Sequence, residues 1–145
     1  MREDDLIMPW SETYSVKVSA FDEQHKRLFR LIDELSEAMK VGQGQSRLSS
    51  VVTELLRYTE THFSVEEKHL AKINYPDLTA HKAEHQKYIQ KIKDTEQELK
   101  SGKIGMSVGV LTFLNDWLQN HIKKTDMKYS TYMAANGKLQ IPVTY

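Results

Sequence analysis

Five of the six histidines in this 145-residue chain, together with two carboxylates, have the residue types and spacing of a metal site. Imidazole nitrogens with a minority of carboxylate oxygens suit zinc, copper, nickel or iron, whereas calcium and magnesium prefer mostly oxygen. A single tetrahedral ion would use only some of these side chains, so their number predicts two metal ions. The seven candidate ligands are His25, His62, Glu66, His81, His85, His121 and Asp126.

Four of these side chains form two pairs whose members are four residues apart. The pairs are His62 with Glu66 and His81 with His85, and residues at this spacing share one face of an α-helix. Both pairs fall on the apolar stripe of their segment, which predicts that they point inward. Asp126 fits less well, because it follows His121 by five residues, about 140° around a regular helix. It must approach from a different edge, or the helix must be locally distorted.

The energetic cost of burial favours coordination over a purely structural role. Burying an unpaired polar group costs about 1–3 kcal/mol, so seven such groups in a small core would be strongly destabilising without a metal. The sixth histidine, His69, lies beside Lys68 near a helix end and is predicted to be a surface residue. Glu67 is about 100° from Glu66 on a helix and is predicted to be solvated or to support a ligand.

Four amphipathic segments must position these residues. Apolar residues at steps of three and four, with breaks at glycine and proline, predict four helices. Their ranges are about 20–40, 46–72, 78–100 and 105–133. Because short loops join neighbouring helices, we expect an all-α, antiparallel up-down-up-down four-helix bundle over 20–133. Residues 1–19 are predicted to form an extended N-terminal arm packing on the bundle, and 134–145 a C-terminal tail.

The bulk composition excludes several classes of protein. Lysine plus arginine equals aspartate plus glutamate at 20 each, so nucleic acid is not an expected partner. The absence of cysteine excludes disulfides, iron–sulfur clusters and thiolate metal sites. No apolar run approaches the roughly 18 residues that would span a membrane. The N-terminus lacks the apolar stretch of a signal peptide, and the predicted location is cytoplasmic.

The ordered motifs of the chain resemble the hemerythrin family in its single-domain bacterial form. The resemblance extends from Trp10 to about Tyr132, most of the chain. It rests on Trp10-Ser11, Asp22-x-Gln24-His25, His62-Phe63-x-x-Glu66-Glu67, Tyr75-Pro76, His81-x-x-x-His85 and Trp117-Leu118-x-x-His121-Ile122-x-x-x-Asp126. The His-x-x-x-His element alone would be weak support, whereas the whole set in this order is specific.

The resemblance implies a four-helix bundle that holds a non-haem di-iron centre and binds O2 reversibly. Carried over by motif, one iron would be held by His81, His85 and His121, the other by His25 and His62, with Glu66 and Asp126 bridging. A solvent-derived oxo or hydroxo group would be the third bridge. The second iron would then keep an open position, at which O2 would bind.

The resemblance also implies a dry pocket around the open position. Its predicted walls are Trp10, Phe63, Trp117, Leu118 and Ile122, with Trp10 brought in by the N-terminal arm. Metal-bound imidazoles need partners for their other ring nitrogen, and Gln24 and Glu84 are candidates by their position in the sequence. The expected partner is O2, and the expected state is a monomer or a weak homo-oligomer.

Three functional hypotheses follow from these residues. The first is an O2 carrier, store or scavenger, which is not an enzyme. The second is a di-iron enzyme that consumes peroxide or NO. Ferritin-like di-iron proteins carry two Glu-x-x-His motifs, whereas here only Glu66-x-x-His69 matches, which argues against an oxygenase or ferroxidase. The third is an O2 or redox sensor module, in which the tail could serve as a docking segment.

Overall fold

A computed structural model describes residues 6–40, 44–102 and 107–145 of the chain, without the side chains at 44 and 45. Every long element in these ranges is helical. The helices are α1 (Ser19–Lys40), α2 (Gly44–Lys72), α3 (Leu78–Lys100), α4 (Val108–Asn120) and α5 (Met127–Ala135). A short 3-10 turn, Glu12–Tyr14, precedes α1. The predicted all-α class is confirmed, and none of the described helices is long and apolar enough to cross a membrane.

The fourth helix of the bundle has three parts. A π-helical segment, His121–Asp126, joins α4 to α5 without a break in the chain direction. Ser107 caps the start of α4, because its hydroxyl accepts a hydrogen bond from the amide of Val110 at 3.1 Å. The prediction of one helix to about residue 133 therefore agrees with the observed extent to Ala135, and the local distortion that it left open is a change to π-helical winding. Its predicted start at 105 lies outside the described residues.

Two apolar clusters form the core, and the candidate ligands lie between them along the helices. On α1, His25 lies between Phe21 of one cluster and Leu28 of the other. On the fourth helix, Leu118 belongs to the first cluster and Tyr129 to the second. Buried apolar side chains therefore bound the ligand region at both ends, which keeps bulk water out.

The N-terminal arm is fixed to α1 by side-chain hydrogen bonds. The buried carboxylate of Asp33 accepts hydrogen bonds from the amides of Ile7 at 2.7 Å and Met8 at 3.0 Å. Further along, Asp22 near the start of α1 accepts one from the amide of Val16 at 2.9 Å. These contacts satisfy backbone groups that would otherwise be buried without a partner.

The C-terminal tail folds back onto the bundle. Gly137 adopts a φ of +64°, the left-handed conformation that commonly ends a helix. The ammonium group of Lys138 then donates to the carbonyl of Ile73 at 2.6 Å, and that of Lys72 donates to the carbonyl of Pro142 at 3.3 Å. Alternate tail residues pack against the second apolar cluster; these are Leu139, Ile141 and Val143.

Candidate metal centre

All four helices of the bundle contribute to one buried cluster of polar side chains. The helical pairs behave as their spacing predicts: His62 and Glu66 point inward from α2, and His81 and His85 point inward from α3. His25 comes from α1, and the two ends of the π-helical segment supply the remaining members. Every one of the seven predicted ligands is at most 3 % exposed, namely His25, His62, Glu66, His81, His85, His121 and Asp126.

The π-helical segment explains how Asp126 reaches the cluster. A π-helix bonds residue i to residue i+5, so it places side chains five apart on the same side. The distance from His121 Nε2 to Asp126 Oδ1 is 3.0 Å. Of the two alternatives that the sequence left open, local distortion of the helix is the one observed.

The carboxylate of Glu66 lies between two groups of histidines. Its Oε1 atom is 2.7 Å from His81 Nε2 and 3.2 Å from His85 Nε2. Its Oε2 atom is 3.4 Å from His62 Nε2 and 3.7 Å from His25 Nε2. Each oxygen therefore faces a different pair of imidazoles, the arrangement that a bridging carboxylate needs.

Asp126 repeats this division from the opposite helix. Its Oδ1 atom is 3.0 Å from His121 Nε2 and 3.3 Å from His81 Nε2. Its Oδ2 atom is 3.3 Å from His25 Nε2. Together the two carboxylates divide the histidines into a group of three, on α3 and the fourth helix, and a group of two, on α1 and α2.

The donor atoms are close enough to bind metal ions. In each of two sets, all the ligand atoms lie within 4.8 Å of one another; the sets are Glu66, His81, His85, His121 and Asp126, and His25, His62 and Glu66. Both oxygens of Asp126 and the Nε2 atom of His25 are buried without a hydrogen-bond partner in the described part of the chain. Buried polar atoms without partners are costly, and coordination to a metal would satisfy them.

The electrostatics of the cluster keep both carboxylates ionised. Burial alone would raise the pKa of Glu66, but the surrounding imidazoles of His25, His62, His81 and His85 outweigh it and hold the pKa well below its usual value. Burial and the nearby Glu66 would both raise the pKa of Asp126, yet its histidine neighbours hold it well below the usual range. Ionised carboxylates are the form that binds metals.

The same ion pairs change the histidines. Burial acts to lower the pKa of His25, but the nearby carboxylates of Asp126 and Glu66 favour the charged ring and raise it from 6.5 to about 9. For His81, burial is again outweighed by Asp126 and Glu66, and the pKa rises to about 10. In the metal-free protein these two imidazoles therefore carry protons at neutral pH, and metal binding must displace those protons.

Three imidazoles have an outward partner that fixes the orientation of the ring. The Nδ1 atom of His62 is 2.5 Å from the amide oxygen of Gln24, and that of His85 is 2.7 Å from Glu67 Oε2. The Nδ1 atom of His121 is 3.2 Å from Glu84 Oε1. Gln24 and Glu84 were the partners predicted from the sequence, and Glu67 takes the supporting one of the two roles predicted for it. Such partners orient metal-bound imidazoles and raise their basicity.

Sequence reasoning missed a fourth supporting contact. The buried hydroxyl of Tyr129 on α5 donates a hydrogen bond to Glu66 Oε2 at 3.0 Å. Burial and the charges of Glu66 and Asp126 raise the pKa of Tyr129 well above its usual value, so the phenol stays protonated and remains a donor. Tyr129 follows the predicted ligand Asp126 by three residues, and this spacing was the sequence signal that could have placed it on the same face of the helix.

The predicted pocket residues divide into two sets. Phe63, Leu118 and Ile122 are buried in the first apolar cluster, next to the ligands. Phe63 stacks on the imidazole of His85 with ring centroids 3.6 Å apart and planes at 3°. Trp117 stacks on His121 at 4.4 Å and 11°. Both aromatic rings therefore lie against the three-histidine group.

Trp10 takes a different position from the other predicted pocket residues. Its indole packs on Tyr14 at 5.7 Å and on Phe29 at 5.6 Å, and the ammonium of Lys26 lies 5.3 Å from the ring centroid. Among the ring contacts of the described residues, none joins Trp10 to a histidine of the cluster. It covers the outer side of α1 near Asp33 instead.

The surface position predicted for His69 was wrong. This side chain is only 2 % exposed, and its Nδ1 atom is buried without a partner among the described residues. It lies one turn after Glu66 and contacts the edge of Phe21 with ring centroids 5.7 Å apart. The neighbouring Lys68 is solvent-exposed, because adjacent positions on a helix point about 100° apart.

The fold and the site together define a four-helix protein with a buried, histidine-rich, dinuclear metal site. The family model of the hemerythrin HHE cation binding domain matches residues 16–132. The chain therefore belongs to the hemerythrin family, whose members are non-haem di-iron oxygen-binding proteins, as the resemblance of its motifs predicted.

Individual relatives agree with this assignment. The chain is 31% identical over 130 residues to a bacteriohemerythrin of Methylococcus capsulatus, covering 89% of this chain and 98% of the relative. It is 32% identical over 120 residues to a myohemerythrin of Theromyzon tessulatum, covering 83% and 88%. A crystal structure of a wild-type hemerythrin superposes with a TM-score of 0.81 at 31% identity, covering 86% of this chain and 96% of that chain.

Proposed function

We propose that this chain binds O2 reversibly at a di-iron centre held by the seven clustered side chains. The division of the two carboxylates between the histidine groups carries the proposal, since each presents one oxygen to each group. The first iron would be held by His81, His85 and His121, the second by His25 and His62, and both by Glu66 and Asp126. The iron with two histidines would have the open position.

The bound irons would supply the electrons and the coordination position that O2 requires. The protein supplies the environment. Glu66 and Asp126 stay ionised and hold the two histidine groups together, and Gln24, Glu67 and Glu84 fix the rotation of three imidazoles. Phe63, Leu118 and Ile122 keep water from the site, and Trp117 is an outer member of that enclosure.

Members of this family are generally oxygen-binding proteins rather than enzymes, and we propose the same for this chain. A carrier must release O2 unchanged, so it needs few side chains that could donate a proton or be oxidised. The hydroxyl of Tyr129 is already engaged with Glu66, and that of Tyr88 donates to the carbonyl of Leu114 at 2.9 Å. A cytoplasmic carrier or scavenger, monomeric or weakly self-associating, is the form that we propose.

Metal analysis combined with an anaerobic O2 titration tests this function. We expect two irons per chain and an optical charge-transfer band that appears with O2 and disappears when O2 is removed. Two irons that are oxidised without a lasting oxygenated form would instead indicate an enzyme or a redox sensor.

The Glu66→Gln variant tests the bridging role separately. Replacing one carboxylate oxygen by an amide nitrogen removes a donor to one iron, so iron content should fall towards one per chain. Glu60→Gln is the matched control, because Glu60 lies on the exposed side of the same helix, where its carboxylate is 3.9 Å from Lys93 Nζ. Two irons retained in Glu66→Gln would remove Glu66 from the bridging position.

A further inference from the structure

An aromatic stack connects the metal cluster to the protein surface. The indole of Trp117 lies nearly parallel to the imidazole of His121, with ring centroids 4.4 Å apart and planes at 11°. It also stacks on the phenol ring of Tyr88 at 4.2 Å and 12°. The three rings are thus in van der Waals contact through their π systems.

Trp117 is the member of this stack that molecules in solution can reach. Tyr88 is fully buried and His121 is only 3 % exposed, whereas Trp117 is partly exposed. The indole lines a surface hollow of about 220 Å³ beside His121. The other lining residues are Glu84, Asn120, Lys124 and Thr125.

We propose that Trp117 is the contact through which a soluble one-electron reductant returns the oxidised centre to its ferrous state. This inference rests on the proposed function. Two donor molecules each lose one electron, two ferric ions become ferrous, and the solvent-derived bridge takes one proton. Electrons pass from the donor in the hollow, across Trp117, to the imidazole of His121.

Among the described residues, no other side chain is both partly exposed and stacked on a candidate ligand. Glu84 also joins His121 to the hollow, but through a hydrogen bond of 3.2 Å from a carboxylate that has no aromatic ring. Phe63 stacks closely on His85 but is buried. Trp10, the second tryptophan, is partly exposed, but its ring contacts are Tyr14 and Phe29, which are not candidate ligands.

The two tryptophans make a matched experiment possible. The Trp10→Phe chain retains only Trp117, with its stack intact, and the Trp117→Phe chain retains only Trp10. Each is loaded with ferrous iron or with zinc, which has no redox chemistry. A photo-oxidised ruthenium polypyridyl complex in solution then removes one electron from the tryptophan, and transient absorption follows the resulting indole radical.

We expect the Trp117 radical to decay about tenfold faster with ferrous iron than with zinc, a difference of about 1.4 kcal/mol in activation free energy. The iron then supplies the missing electron through His121, along the proposed route in reverse. The Trp10 radical should decay at the same rate with either metal. Equal lifetimes of the Trp117 radical with iron and zinc would overturn the proposal, as would a Trp10 radical that is quenched equally fast.

Iron content and O2 binding are measured on the same samples. If the chain loads two irons and binds O2 but the Trp117 radical has equal lifetimes with iron and zinc, only the proposed role of Trp117 is refuted. If the chain loads no iron, the proposed function and this inference are refuted together. The decisive comparison uses native Trp117, so it does not depend on how well the Trp117→Phe chain folds.

Discussion

Removing one hydroxyl, by Tyr129→Phe, should weaken iron binding by about 10- to 100-fold. The phenol donates to Glu66 Oε2 at 3.0 Å, and both groups are fully buried. A hydrogen bond to a charged group contributes about 1.5–3 kcal/mol, and the loss of a supporting partner typically lowers metal affinity about 10–100-fold. The two ranges agree, because a factor of ten corresponds to about 1.4 kcal/mol.

Competition with a chelator of known iron affinity, under anaerobic conditions, measures the effect. Tyr132→Phe is the matched control, since its hydroxyl lies on the same helix but donates to the carbonyls of Ile73 and Asn74. Iron affinity in Tyr132→Phe should stay within about twofold of the original chain. If Tyr129→Phe binds iron as tightly as Tyr132→Phe does, the hydroxyl does not support the bridging carboxylate.

Three further outcomes follow from the structure. The free energy of unfolding of the metal-free protein should fall as pH rises from 6.5 to about 10. The raised pKa values of His25 and His81 mean that their protonated forms stabilise the fold, and this stabilisation is lost as they deprotonate. A melting temperature that does not change across this pH range would contradict the ion pairs. Iron loading at neutral pH should release protons, which a weakly buffered indicator titration detects, and loading without release would show that these imidazoles were already neutral. Asp33→Ala should lower the free energy of unfolding by about 1–3 kcal/mol, since the amides of Ile7 and Met8 lose their acceptor; an unchanged denaturant midpoint would mean that the arm is held by packing alone.

Much of the bundle and the convergence of the candidate ligands were predictable from local spacing. The pairs His62–Glu66 and His81–His85 need only the geometry of an α-helix, and they point inward as expected. The outer partners Gln24 and Glu84 were also anticipated from their positions. The helical pairs need only local spacing, whereas Gln24 and Glu84 were named for their neighbours in the sequence and contact histidines of other helices, His62 and His121.

The failures have a different cause, which is packing between distant segments. His69 was placed at the surface because of its charged neighbour, yet Phe21 of α1 contacts it. Tyr129 was missed because its hydrogen-bond partner, Glu66, lies on another helix 63 positions away. A five-residue spacing signalled a distortion near Asp126, but its form depends on contacts that only the folded protein makes.

The π-helical segment also has a consequence for how the length of the chain can change. A π turn contains more residues than an α turn, so losing one residue between 122 and 125 would restore a regular α-helix. His121 and Asp126 would then be four residues apart, a spacing that also puts both on one face of the helix. Tyr129 would follow His121 by seven residues, about 700°, so Tyr129 and Met133 would keep nearly the directions that they have now. The extra residue of the π turn is therefore one that the fourth helix can lose with its candidate ligands still facing the cluster, whereas a deletion in α4 or α5 would turn every later residue by about 100°.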